Sequence, residues 1–103
     1  EGNDELVNGD LRLRPGARTV SLGDNVLTLT ALEFDLLFSL ACHAGRVRSR
    51  EQLLDDVAGR NYDVFDRSID VHMSSLRRKL GDNPRNSRYI KTVRSVGYMM
   101  VKH

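Results

Sequence analysis

The order of apolar and polar positions divides the chain into three regimes. From residue 6 to residue 29 the pattern alternates. Leu11 and Leu13 alternate with Arg12 and Arg14. Val20 and Leu22 alternate with polar neighbours in "TVSL", and Leu27 and Leu29 do so in "VLTL". "PGA" at 15–17 and "GDN" at 23–25 supply turn chemistry between these runs,. A period of two bounded by turns predicts a small antiparallel sheet with one wet and one packed face. The period then lengthens. Thr30 and Glu33 form a capping-box pair, and Leu32, Leu36, Leu37, Leu40 and Ala41 follow as a helical stripe flanked by Phe34 and Phe38,. "HAGR" at 43–46 ends that helix, with Gly45 suited to a left-handed cap,. After a short extended "VRS", Ser49 and Gln52 open a second helix through Leu53, Leu54 and Val57,. A polar loop, "GRNYDVF", spans 59–65.

The third helix, "DRSIDVHMSSLRRKL" at 66–80, is bounded by Gly81,. At about 100° per residue, Ile69, Met73, Leu76 and Leu80 fall in one narrow sector, the predicted buried side,. The opposite side gathers Arg67, Val71, Ser74, Ser75 and Arg78. Arg77 and Asp70 lie on one flank, His72 and Lys79 on the other. Beyond a loop at 82–87, "YIKTV" and "YMMV" read as a terminal hairpin joined by "RSVG",. No repeat, low-complexity tract or internal linker interrupts the chain. A sheet, three helices and a hairpin make an α+β chain in the order of a winged helix-turn-helix.

Composition changes this picture in a few places. A chain of 103 residues, 40% hydrophobic, is long enough for one modest core,. The net charge is only +2, but it is unevenly spread: the first 59 residues carry a net −4 and the remainder +6. That asymmetry fits either ordinary surface charge or a polyanion partner for one face. The lone Cys42 excludes an internal disulfide, fits a reducing compartment such as the cytoplasm, and reads as a small core or half-core residue,. No apolar run reaches membrane-spanning length, and there is no signal peptide,. The chain opens on "EGNDE" with no starting methionine, so residues 1–5 read as a linker remnant of something longer.

Catalysis is not expected. There is no nucleophile elbow, Gly-rich phosphate loop or paired carboxylate element,. Cys42 and His43 are adjacent on a helix and point apart, so no metal site is expected, and no cofactor,. The outer face of the third helix points elsewhere. It contains no Glu, its centre is small (Val71, Ser74, Ser75) and its ends are cationic. Small residues allow close approach to base edges, a valine can meet a thymine methyl, and arginines at the margins reach phosphates. Arg94 on the hairpin tip, beside the small Ser95 and Gly97, fits either a solvated turn or a minor-groove contact,. Two function classes remain: a DNA-binding module, and a winged helix used for protein–protein contact. An RNA-binding sheet would show exposed aromatics, and these are scattered,.

Four blocks in order carry a family resemblance: "LTALEFDLL", "VRSREQLL", "DRSIDVHMSSLRRKLGD" and "YIKTVRSVGYMM". From about residue 6 to its end the chain resembles the C-terminal effector domain of OmpR/PhoB-type response regulators, and among them the RstA and CpxR types. The resemblance implies a winged helix-turn-helix with an N-terminal four-stranded antiparallel sheet, three helices and a C-terminal hairpin wing. It implies transcriptional control in a two-component system by sequence-specific binding of double-stranded DNA. The third helix would enter the major groove, and the wing the minor groove, at tandem direct-repeat half-sites. Arg50, Arg67, His72, Arg77 and Thr92 would contact phosphates. Ser68, Val71, Ser74, Ser75 and Arg78 would face bases, with Arg94 in the minor groove. The loop carrying Arg60, Asn61, Tyr62 and Asp63 would touch RNA polymerase. The implied partners also include the protein's own receiver domain, absent from this chain, and a sensor kinase. The implied assembly is a homodimer on DNA, with the isolated domain a monomer. The chain departs from PhoB-like members at Ser74 and Ser75, where those carry two arginines, so guanine readout by a long side chain at Ser75 is unavailable. It also has Tyr62 in a loop where a tryptophan can sit nearby.

Overall fold

The computed structural model describes residues 5–58, 66–82 and 88–103, with backbone alone at 58 and 66–68. The element order is β1 (Leu6–Asn8), β2 (Leu11–Arg14), β3 (Thr19–Leu22), β4 (Asn25–Leu27), α1 (Ala31–Cys42), β5 (Val47–Ser49), α2 (Arg50–Ala58), α3 (Asp66–Leu80), β6 (Ile90–Val93) and β7 (Gly97–Met100). The expected sheet, helices and hairpin are all present. β1 to β4 form an antiparallel meander in chain order. Leu11, Leu13 and Val20 are buried on its inner face, while Arg12 and Arg14 are exposed on the outer. The last of these strands stops at Leu27, short of the "VLTL" run, because Thr30 is already committed to capping α1.

Both capping boxes form. Thr30 Oγ1 accepts from the Glu33 amide at 3.1 Å, and Glu33 Oε1 accepts from the Thr30 amide at 3.0 Å. Ser49 and Gln52 repeat the exchange at α2, at 3.1 and 2.9 Å,. Gly45 takes φ 84°, a backbone that glycine adopts without strain, and donates its amide to Met100 O at 2.8 Å,. The chain thereby turns out of α1 straight onto β7.

The hairpin is not alone. β5 pairs with β7, so β5, β7 and β6 form a three-stranded antiparallel sheet. Ser49 lies opposite Gly97, and Gly97 also faces Val93 across the wing. β5 is three residues long and its partner lies some fifty positions away, so no local pattern announces the pairing. The two sheets flank the helices, and the core is shared among them. Leu36, Leu37 and Leu40 of α1, Leu53 of α2, Ile69, Met73 and Leu76 of α3, and Ile90 and Met100 are fully buried.

α1 is buried nearly all round, not only along its leucine stripe, because the first sheet, α2, α3 and β7 all pack on it,. Its polar residues are therefore buried and partnered. Asp35 meets Arg18 at 3.1 Å, and Ser39 donates to Asp56. The segment after α3 is held by Asp82, whose carboxylate accepts the amides of Arg88, Tyr89 and Ile90 at 2.7, 3.1 and 2.8 Å. Asn8 clasps the two ends of the chain, donating to Val101 O and accepting from the His103 amide, both at 2.7 Å. Cys42 is exposed, contrary to the core position expected of it, because α1 emerges from its packing at that end.

Candidate nucleic-acid interface

α3 meets solvent along a narrow strip. Val71 is 67% exposed, and Ser74 and Arg78 are exposed beside it. The methyl groups of Val71 are open to a partner, and the residues beside it on the strip are small or cationic. The wing is the β6–β7 hairpin of the three-stranded sheet. Its turn comprises Arg94, Ser95 and Val96, all exposed, closed by the Val96 amide donating to Val93 O at 3.1 Å. Ser95 occupies the left-handed position of this turn, with φ 64°,. Thr92 and Lys91 are exposed on β6.

The flanks of α3 are occupied by the rest of the protein. On one, Ser75 Oγ donates to Glu33 Oε2 at 2.7 Å, and Lys79 Nζ donates to Glu33 Oε1 at 2.6 Å. Ser75 is half-buried, turned toward the start of α1 and away from the exposed strip. On the other flank, Arg77 is only 9% exposed. It donates to Ile90 O at 3.3 Å and to Thr92 Oγ1, with its guanidinium 5.5 Å from the Tyr98 ring centre. Since Thr92 accepts this bond, its own hydroxyl hydrogen is left to donate elsewhere. Asp70, on the same flank, accepts from Arg50 at 3.0 Å and from the Tyr98 hydroxyl.

These contacts set the charge states. Burial pushes the Glu33 carboxyl up, but hydrogen bonds from Lys79, the Thr30 amide and Ser75, with the Lys79 charge, hold it below its ordinary value of 4.5,. The Tyr98 hydroxyl holds Asp70 below the usual carboxylate range against burial, and Arg50 adds to this. Burial first, then Asp70, pushes Tyr98 up to about 12. A carboxyl with a lowered folded value stabilises the fold above its unfolded value, and that contribution is lost as pH falls through the folded one. Glu33→Gln keeps the capping box and removes the charge, so it should cost about 1–3 kcal/mol at neutral pH. The gap between wild type and variant should shrink as pH falls below 4.5,. Urea midpoints across that range measure it, and a gap independent of pH would show that the carboxylate charge contributes nothing.

Residues 24–100 match the family described as "Transcriptional regulatory protein, C terminal". The chain belongs to this family. It is 45% identical over 100 residues to the transcriptional regulatory protein CpxR of Escherichia coli (strain K12), covering 97% of this chain and 43% of CpxR. The chain thus spans less than half the length of the curated relatives it matches. Among solved structures, it is similar to the Klebsiella pneumoniae RstA DNA-binding domain in complex with the RstA box, with a TM-score of 0.86 and 42% identity over 97% of this chain and 99% of that one. It is also similar to the Thermotoga maritima response regulator DrrB, an OmpR/PhoB homolog, with a TM-score of 0.81 and 35% identity over 94% of this chain and 44% of DrrB. The family is one of transcriptional regulators, and the resemblance to OmpR/PhoB proteins read from the four sequence blocks stands.

Within this OmpR/PhoB-type domain, the sequence-predicted residues separate into groups. Val71, Ser74 and Arg78 share the exposed strip of α3, and Arg94 stands exposed on the wing tip. His72 is half-exposed beside the strip. Two of the candidate residues are bonded within the free domain. Ser75 is half-buried on the side of α3 where α1 packs, and Glu33 takes its hydroxyl hydrogen. Arg77 is not an outward cation, because β6 packs on its flank and takes it inward to Thr92. The side chains of Arg67 and Ser68, and the loop residues Arg60, Asn61, Tyr62 and Asp63, lie outside the described residues. Sequence reasoning missed Tyr98 and the bonding role of Asp70. One signal was available: Asp70 is followed at i+3 and i+4 by Met73 and Ser74, so its charge had no partner further along its own helix,.

Proposed function

We propose that this domain binds double-stranded DNA sequence-specifically as the effector end of a two-component response regulator. One observation carries the reading: the exposed Val71–Ser74–Arg78 strip of α3 lies on the same fold as an RstA domain solved on its box DNA. α3 would enter the major groove, with Val71 and Ser74 against base edges and Arg78 beside them. Arg94 would enter the minor groove. Arg50, Arg67, His72 and the Thr92 hydroxyl would meet phosphates, with Arg77 acting through Thr92. Binding would use tandem direct repeats, with the isolated domain a monomer and a homodimer forming on DNA. A receiver domain, a sensor kinase and RNA polymerase at the 59–65 loop complete the proposed partners, in the cytoplasm. No described helix is long and apolar enough to cross a membrane.

Two substitutions test the division of labour. Val71→Ala should lower affinity by about 1 kcal/mol, and only on sites with thymine at the contacted step. Arg94→Ala should weaken binding to all duplexes and lower the salt slope by about 1. Fluorescence anisotropy at two salt concentrations reads both. Equal, salt-independent behaviour on DNA and on duplex RNA would favour the protein-contact alternative.

A further inference from the structure

The first residue of α2 is an arginine. The N-terminal end of a helix favours an anion and disfavours a cation, so Arg50 gains from a carboxylate beside it,. In the free domain that anion is Asp70, reaching from α3. Its Oδ1 takes Nε and Nη2 of Arg50, each at 3.0 Å, and the Tyr98 hydroxyl as well. Tyr98 is only 4% exposed and Arg50 lies 5.5 Å over its ring, so the core fixes where this oxygen sits. Two hydrogen-bond donors and a guanidinium charge converging on one anionic oxygen is the arrangement that a non-bridging phosphate oxygen would also satisfy,. The two ionic partners remain accessible, with 34% of the Arg50 and 49% of the Asp70 side chain exposed. Asp70 is also the one carboxylate among the described side chains of α3, and it immediately precedes Val71.

We infer that Asp70 is an internal competitor with phosphate, which occupies Arg50 in the free domain and weakens binding until a DNA backbone in the correct register displaces it. The inference rests on the DNA-binding reading above. A duplex in loose, sequence-independent contact offers phosphates to cations already on the surface. Here it meets an Arg50 that is neutralised and a carboxylate that repels it. A cognate site adds base contacts from the exposed strip, and these offset the loss of the Asp70–Arg50 pair. Asp70 therefore lowers affinity by the free energy of releasing Arg50, in full on a site whose register requires that release and by no more than that on any other duplex.

The test compares wild type, Asp70→Asn, Arg50→Ala and the double variant on a selected site and on a scrambled duplex at two salt concentrations. Asp70→Ser serves in place of Asp70→Asn if the latter does not fold by thermal melting. Asp70→Asn is expected to raise selected-site affinity about fivefold. On the scrambled duplex the salt slope should steepen by about 1 as Arg50 becomes free to take a phosphate, with an affinity gain no larger than that of the selected site. In the Arg50→Ala background the same change should be largely lost. Weaker or unchanged binding of Asp70→Asn to the selected site overturns the inference, as does a gain that persists in full without Arg50. Failure of wild type to bind any duplex overturns the DNA-binding reading and this inference together, whereas failure of the variant pattern alone leaves that reading standing.

Discussion

Leu76→Ala is expected to lower the stability of the domain by about 2–5 kcal/mol. Leu76 is fully buried on the inner face of α3, in line with Ile69, Met73 and Leu80. Truncation removes its apolar surface from the core and leaves a void that neighbours from three helices cannot close completely. Val71, five residues earlier and 67% exposed, is the internal control, since surface changes of this kind stay within about 0.5 kcal/mol,. Urea denaturation of the two variants fixes the rotation of α3 about its axis. A melting transition unmoved by Leu76→Ala, or equal losses from both, would mean that the exposed strip is not the one described.

Gly97→Ala should be of similar size, with a different cause. A methyl group at Gly97 would lie 2.1 Å from Arg48 O and 2.8 Å from Ser49 Cα. Both are backbone atoms, so no side chain can swing aside, and β5 has to separate from β7. The expected loss is about 3 kcal/mol, at the upper end for overpacking because strand pairing goes with it. Amide exchange should accelerate at Val47 and Ser49 and in β7. Because Arg50 follows Ser49 directly, and Arg94 sits on the hairpin that Gly97 begins to close, DNA affinity should fall as well. A variant with native stability and native exchange rates would contradict the three-stranded arrangement.

The elements that depend on local chemistry were legible in the sequence. Both capping boxes, the alternation of Leu11 and Leu13, and the inner face of α3 follow from short-range rules, and the structure has them. The rest was set by what packs on each element. Ser75 and Arg77 each lie partway round α3, and their direction depends on α1 and β6, which no helical wheel contains. The burial of Glu33, Asp35 and Ser39 could not be read from α1 either, since their partners come from residues 75, 79, 18 and 56. The three-residue β5 gave no sign of its distant partner. Of the candidate site, the strip of Val71, Ser74 and Arg78 and the wing-tip Arg94 were read correctly as exposed, because a polar face opposite a strong apolar one has nowhere else to go,.

The central claim is that the exposed strip and wing read duplex DNA. Selection of a random duplex library on this domain, followed by titration of the winners at several salt concentrations, tests it most directly. The account expects an enriched motif repeated at about one helical turn, with a log–log salt slope near about −5 for roughly six phosphate contacts. No enrichment, with affinity indifferent to salt, would contradict it.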